Sequence, residues 1–164
     1  MPSPSPVLRV LFVCTGNTCR SPLAVAALVA ELGEDHAHIE VSSAGTSAWE
    51  GQPVSEGSLQ VAQRDGIDLS QHRARRVTAS LVREADLVFV MDPLHRVALE
   101  ALGLTSDKVK VLSEWPEPGE PDLPVSDPFG ASREAYEECW SRIRRHVRRI
   151  APLIRQQMRT RLAS

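Results

Sequence analysis

Residues 7–22 read VLRVLFVCTGNTCRSP, and the fold follows from this stretch. Val7 to Val13 is an apolar run rich in β-branched residues, interrupted only by Arg9. Such a run predicts a strand buried on both faces, as in a parallel sheet. Cys14 to Arg20 (CTGNTCR) is short, small and polar, which predicts a loop. Ser21-Pro22 then marks a helix start, because Ser caps an open helix end and Pro suits the first helical position. The helix continues from Leu23 to Leu32, and Gly33 ends it.

The pattern repeats downstream. A strand is expected over His38–Ser43, a loop over Ala44–Pro53 and a helix over Val54–Asp65, stopped by Gly66. Leu81–Ala85 reads as a helical turn and Leu87–Met91 as a second buried strand. Pro93 starts a helix that Gly103 ends, and Val109–Leu112 is the fourth strand. A proline-rich loop fills Ser113–Gly130. One long helix follows from Ser132 to about Arg161, with Tyr136, Trp140, Ile143, Val147, Ile150 and Ile154 on one stripe. Alternating strands and helices predict an α/β three-layer sandwich with a central four-stranded parallel sheet. The expected organisation is a loose Ser/Pro tail over residues 1–6 and one domain over 7–164.

Composition limits the function classes. At 42% hydrophobic and 24% charged, the chain of 164 residues belongs among globular proteins, not disordered ones. A net charge of -2 gives no global case for nucleic acid as partner. No apolar stretch approaches the length of a membrane span, and the first residues lack the pattern of a secretion signal. Three cysteines, two of them at Cys14 and Cys19, form no disulfide framework and suggest a reducing, cytoplasmic setting. His36 and His38 have no partners at metal spacing, so neither metal nor cofactor is expected. The arginine-rich final helix reads as a solvated face, and a monomer is expected.

Ligands in parallel α/β sheets bind at the carboxyl ends of strands, so the loop after the first strand should carry the chemistry. It joins a buried strand to a helix N-terminus, where unpaired N–H groups and the dipole favour anions. Gly16 and Asn17 tolerate positive φ, which lets the loop wrap its amides around one centre. Arg20 adds a planar two-pronged donor for an oxyanion such as phosphate. The same features would hold Cys14 as a thiolate at the base of the cradle, fit to attack phosphorus. A Cys followed six residues later by Arg also fits a merely packed cysteine.

VCTGNTCRSPLA, from Val13 to Ala24, resembles the phosphate-binding loop of the low-molecular-weight protein tyrosine phosphatase family. Asp127-Pro128-Phe129-Gly130 resembles that family's general-acid loop, and shorter matches lie at Ser43–Thr46 and Val90–Asp92. The likeness spans roughly Val7 to Arg155. It implies Cys14 as nucleophile, Arg20 as phosphate clamp and Asp127 as general acid. It also implies phosphate binding by Thr15, Gly16, Asn17, Thr18, Cys19 and Ser21, with Ser21 capping the helix and donating to the Cys14 sulfur. Ser43 and His72 would support Asn17 from behind. Cys19 would pair with Cys14 under oxidation, or simply pack. Trp49 and Phe129 would wall the pocket mouth, although Trp49 could equally anchor its loop. Cys139 lies beside the last helix's apolar stripe and is expected to be structural.

Phosphorylated proteins are the substrates this resemblance implies, and Thr18 bears on which. Tyrosine-specific members usually carry Ile there, whereas bacterial members with Thr resemble the protein-arginine phosphatases. Phe129-Gly130 also departs from the Asp-Pro-Tyr-Tyr form common in tyrosine-specific members. Trp49 points the other way, since an aromatic wall suits phosphotyrosine. The preferred expectation is phosphoarginine, the alternative phosphotyrosine. Arsenate reduction shares this fold and loop but needs further cysteines, and residues 66–113 hold none.

Overall fold

A computed structural model describes residues 6–104, 107–115 and 125–164. The expected tail and the middle of the 113–130 loop lie outside the described residues. Among those described, four strands form one sheet: β1 (Leu8–Cys14), β2 (Ile39–Gly45), β3 (Leu87–Val90) and β4 (Val109–Val111). Their order is β2-β1-β3-β4 and every pairing is parallel. Five α-helices connect them among the described residues: α1 (Arg20–Leu32), α2 (Glu56–Arg64), α3 (Ala79–Glu84), α4 (Pro93–Ala101) and α5 (Arg133–Leu162).

The pleat distributes the strand side chains between two cores. Leu8, Val10, Phe12 and Cys14 of β1 face one core with Leu87 and Phe89 of β3, covered by α1, α2 and α5. Leu11 and Val13 face the other with Val88 and Val90, covered by α3 and α4. This is the expected three-layer sandwich, and it explains the apolar run of β1. Arg9 interrupts that run without cost because it lies half-exposed between Glu40 and Glu84.

Several boundaries moved. Residues Gly33–His38 form a 3-10 turn, so β2 begins at Ile39 and extends to Gly45. Ser55, not Val54, stands at the start of α2, and Thr78 caps α3 through the Leu81 amide. The arginines of α5 do more than meet solvent. Arg144 pairs with Asp65, Arg148 with Glu31, Arg155 with Asp35 and Arg161 with Asp86. Arg149 donates to the carbonyls of Leu112 and Trp115. The polar flank of the helix is thereby tied to the layer that its apolar stripe covers.

In this strand order the chain departs from β1 in opposite directions, to β2 on one side and β3 on the other. The crevice between the carboxyl ends of β1 and β3 is therefore where a ligand site is expected. The loop after Cys14 opens there.

Candidate active site

Three carbonyls hold the 14–20 loop from outside. Those of Cys14 and Thr15 accept from Thr46 and Ser47, each at 2.9 Å, and that of Thr18 accepts from Ser55 at 2.8 Å. Gly45 lets the loop approach β2, because a Cβ there would stand 2.4 Å from the Thr15 carbonyl oxygen.

Asn17 sets the curvature. Its φ of 56° is the only positive value at a non-glycine position among the described residues, and Asn tolerates this region better than most residues. Its side chain is fully buried and its Nδ2 donates to Ser21 Oγ at 2.7 Å and Ser43 Oγ at 2.9 Å. Its Oδ1 accepts from the Arg75 amide at 3.0 Å, and its carbonyl accepts from His72 Nε2 at 2.7 Å. Burial pushes the His72 imidazole below its ordinary range, so it serves as a neutral donor.

Ser21 Oγ lies 3.0 Å from Cys14 Sγ. Because Ser21 accepts from Asn17, its own hydrogen is free to point at the sulfur. The expected cap is corrected here. The helix begins at Arg20, Cys19 occupies the capping position, and no side chain caps the end. Ser21 cannot fill that role because it is inside the helix and its hydroxyl is committed to Asn17 and Cys14. The side chains of Asn17 and Ser21 stand behind the loop, turned to Ser43, to one another and to Cys14, and neither residue is among those lining the cavity.

The cavity has a volume of about 450 Å³ and is lined by Cys14, Thr15, Gly16, Thr18, Cys19, Arg20, Ser47, Trp49, Gln52, Asp127 and Phe129. Arg20 is 5% exposed. Its Nη1 donates to the Val125 carbonyl at 3.2 Å and its Nη2 to Thr15 Oγ1 at 3.3 Å, while Nη2 lies 3.6 Å from Asp127 Oδ2. Its Nε is buried with no acceptor among the described residues. A buried guanidinium donor left open beside a helix N-terminus marks an oxyanion position. Asp127 Oδ1 accepts from the Phe129 amide at 3.1 Å, which holds the 127–130 turn. Trp49 and Phe129 are 74% and 71% exposed, so both rings flank the mouth and Trp49 is not an anchor for its own loop.

Cys19 is buried, with its thiol 3.1 Å from Ser55 Oγ and 3.7 Å from the Tyr136 hydroxyl. All three cysteines are free thiols. Cys139 packs into the core, where burial pushes its thiol up to about 12.

Ser47 and Gln52 line the cavity although neither carries a recognisable motif. His95 was also missed from sequence. It sits in the first turn of α4, 5% exposed, with Nε2 2.9 Å from Thr15 Oγ1. The Asp-x-x-His spacing from Asp92 to His95 signals only a helix cap. Its bond to Thr15, 80 residues away, depends on the pairing of β1 with β3.

A thiol beneath an anion cradle, with an arginine above it and a carboxylate at the rim, defines a cysteine-based phosphatase site on a parallel α/β sheet. The model of the low molecular weight phosphotyrosine protein phosphatase family matches residues 9–161. A low molecular weight protein-tyrosine-phosphatase of Streptomyces coelicolor is 36% identical over 163 residues, covering 94% of this chain and 98% of that one. A YwlE arginine phosphatase variant with a phosphorylated active-site serine superposes with a TM-score of 0.84 at 29% identity, covering 93% of this chain and 99% of that one. The low molecular weight protein tyrosine phosphatase of T. tengcongensis gives 0.80 at 34% identity, covering 87% and 97%. The chain belongs to the low molecular weight phosphotyrosine protein phosphatase family and is a protein phosphatase.

Proposed function

We propose that this phosphatase hydrolyses phosphoarginine in proteins, with Cys14 as nucleophile, Arg20 as oxyanion clamp and Asp127 as general acid. The observation that carries the substrate reading is the pairing of two acceptors on the cavity wall. Thr18 brings a hydroxyl where a bulky aliphatic would close the wall, and Asp127 is the sole carboxylate among the described lining residues. A guanidinium presents several N–H donors in one plane and is matched by such acceptors.

In this mechanism the Cys14 thiolate attacks phosphorus and the P–N bond breaks. Asp127 delivers its proton to the departing guanidine nitrogen, and Arg20 holds the phosphoryl oxygens through the open Nε and its neighbours. Asp127, now a carboxylate, takes a proton from water, which attacks the cysteinyl phosphate. The S–P bond breaks, phosphate leaves and the Cys14 thiolate returns, held by the Ser21 hydroxyl. Ser43 and His72 act through Asn17, keeping the loop closed around the anion.

Phosphotyrosine is a second reading, favoured by the exposed rings of Trp49 and Phe129 at the mouth, which suit a flat aromatic leaving group. The arsenate alternative finds little support, since the one thiol beyond the 14–20 loop, Cys139, is buried in the core. The test is kcat/KM on peptides matched except for phosphoarginine or phosphotyrosine, with wild type and Thr18→Ile. A preference for phosphoarginine of about tenfold, equal to about 1.4 kcal/mol of transition-state discrimination, that Thr18→Ile erases supports the proposal. A preference for phosphotyrosine that Thr18→Ile leaves unchanged overturns it.

A further inference from the structure

We infer that His95 is a positioning residue that turns the Thr15 hydroxyl into an obligate donor facing the bound phosphoryl group. The inference rests on the reading of the 14–20 loop as the phosphate site. The Asp92 backbone N–H donates to His95 Nδ1 at 3.1 Å as part of a capping box at the start of α4. A ring nitrogen that accepts bears no hydrogen, so the neutral ring carries its hydrogen on Nε2. Nε2 lies 2.9 Å from Thr15 Oγ1 and donates to it. Arg20 Nη2 donates to the same oxygen at 3.3 Å.

A hydroxyl oxygen has two acceptor positions and one hydrogen. Both acceptor positions of Thr15 are taken, by His95 and Arg20. Its hydrogen must leave in the remaining direction, and Thr15 lines the cavity with Cys14, Arg20 and Asp127. A hydroxyl oriented in advance toward developing negative charge needs no reorganisation during reaction. The arrangement also requires a neutral imidazole, since a second ring hydrogen would oppose the Asp92 amide. Burial, and then the positive charge of Arg20, push His95 down to about 4, against the opposing pull of Asp92 and Asp127.

The test is a double-mutant cycle on p-nitrophenyl phosphate, which is independent of the substrate reading, with His95→Ala, Thr15→Val and the pair. Each single change is expected to lower kcat by about tenfold while KM moves less than about threefold, the mark of an interaction made in the transition state. The pair should fall no further than the worse single change, because both remove one shared hydroxyl donor. His95→Gln, which keeps a donor near the Nε2 position, should recover part of the loss. Losses that multiply in the pair overturn the inference, as do singles within about twofold of wild type. Should His95→Ala not fold, nitrogen NMR of the wild-type ring decides instead. An Nε2–H tautomer that persists to about pH 5 supports the inference, whereas an Nδ1–H tautomer or titration near the ordinary histidine range of about 6.5 overturns it. Cys14→Ser is measured alongside. Retained turnover there defeats the phosphate-site reading itself, whereas a dead Cys14→Ser with an unaffected His95→Ala defeats only the role given to His95.

Discussion

Replacing Asn17 separates the two contributions it makes to the loop. In Asn17→Ala the buried side chain loses three hydrogen bonds, to Ser21 Oγ, Ser43 Oγ and the Arg75 amide, each worth about 1 kcal/mol net. Alanine must also hold a φ of 56°, which costs about 1 kcal/mol more for a residue bearing a Cβ. The expected loss is about 4 kcal/mol, or about 8–16 °C in Tm for a chain of this size. Asn17→Gly loses the same hydrogen bonds but not the φ cost, so it should be milder by about 1 kcal/mol. Both variants leave the Ser21 hydroxyl without the donor that orients it toward Cys14 Sγ, so kcat should fall at least about tenfold in each. Urea unfolding gives the stabilities and steady-state hydrolysis the rates. Asn17→Ala within about 1 kcal/mol of wild type, or Asn17→Gly as destabilised as Asn17→Ala, would refute the reasoning.

Three further outcomes follow from the same geometry. Gly45→Ala places a methyl 2.4 Å from the Thr15 carbonyl oxygen and 3.0 Å from the Asn17 nitrogen. Backbone must move, so we expect a loss of about 1–3 kcal/mol by thermal unfolding and at least about tenfold in kcat/KM. His72 and His95 both have lowered folded values, His95 to about 4. The unfolded chain therefore binds more protons as pH falls below about 6.5, and stability is full above that value and declines from there down to about 4. His95→Gln should flatten this acid limb by an amount of order 3 kcal/mol, read by urea unfolding at stepped pH. Cys139, buried and with its thiol pushed up to about 12, should resist iodoacetamide at neutral pH until the protein unfolds, as mass spectrometry of the modified peptides would show.

Local signals in the chain were strong where structure is local. The strand ending at Cys14, the small residues of the loop and the proline that opens the helix all lie within residues 7–22. Their order suffices to specify a strand–loop–helix unit and an anion cradle. The stripe along α5 was equally legible, because a helix buries what recurs every three or four residues. The start of α1 was misread because Ser before Pro is a common capping pair. Here the Ser21 hydroxyl has better partners in Asn17 and Cys14.

From the sequence alone came the layered α/β class, the two cores implied by unbroken apolar strands, and the cysteine, arginine and aspartate of the site. Periodicity and short-range chain geometry encode these directly, except the aspartate, which only the resemblance of Asp127-Pro128-Phe129-Gly130 to the family's general-acid loop supplied. The tertiary structure alone decided what depends on strand order. It set Trp49 at the mouth instead of beneath its loop, brought Ser47 and Gln52 to the cavity, and joined His95 to Thr15 across the β1–β3 crevice. No spacing in the chain encodes those contacts, because they arise only when parallel strands far apart in sequence align their carboxyl ends on one edge of the sheet.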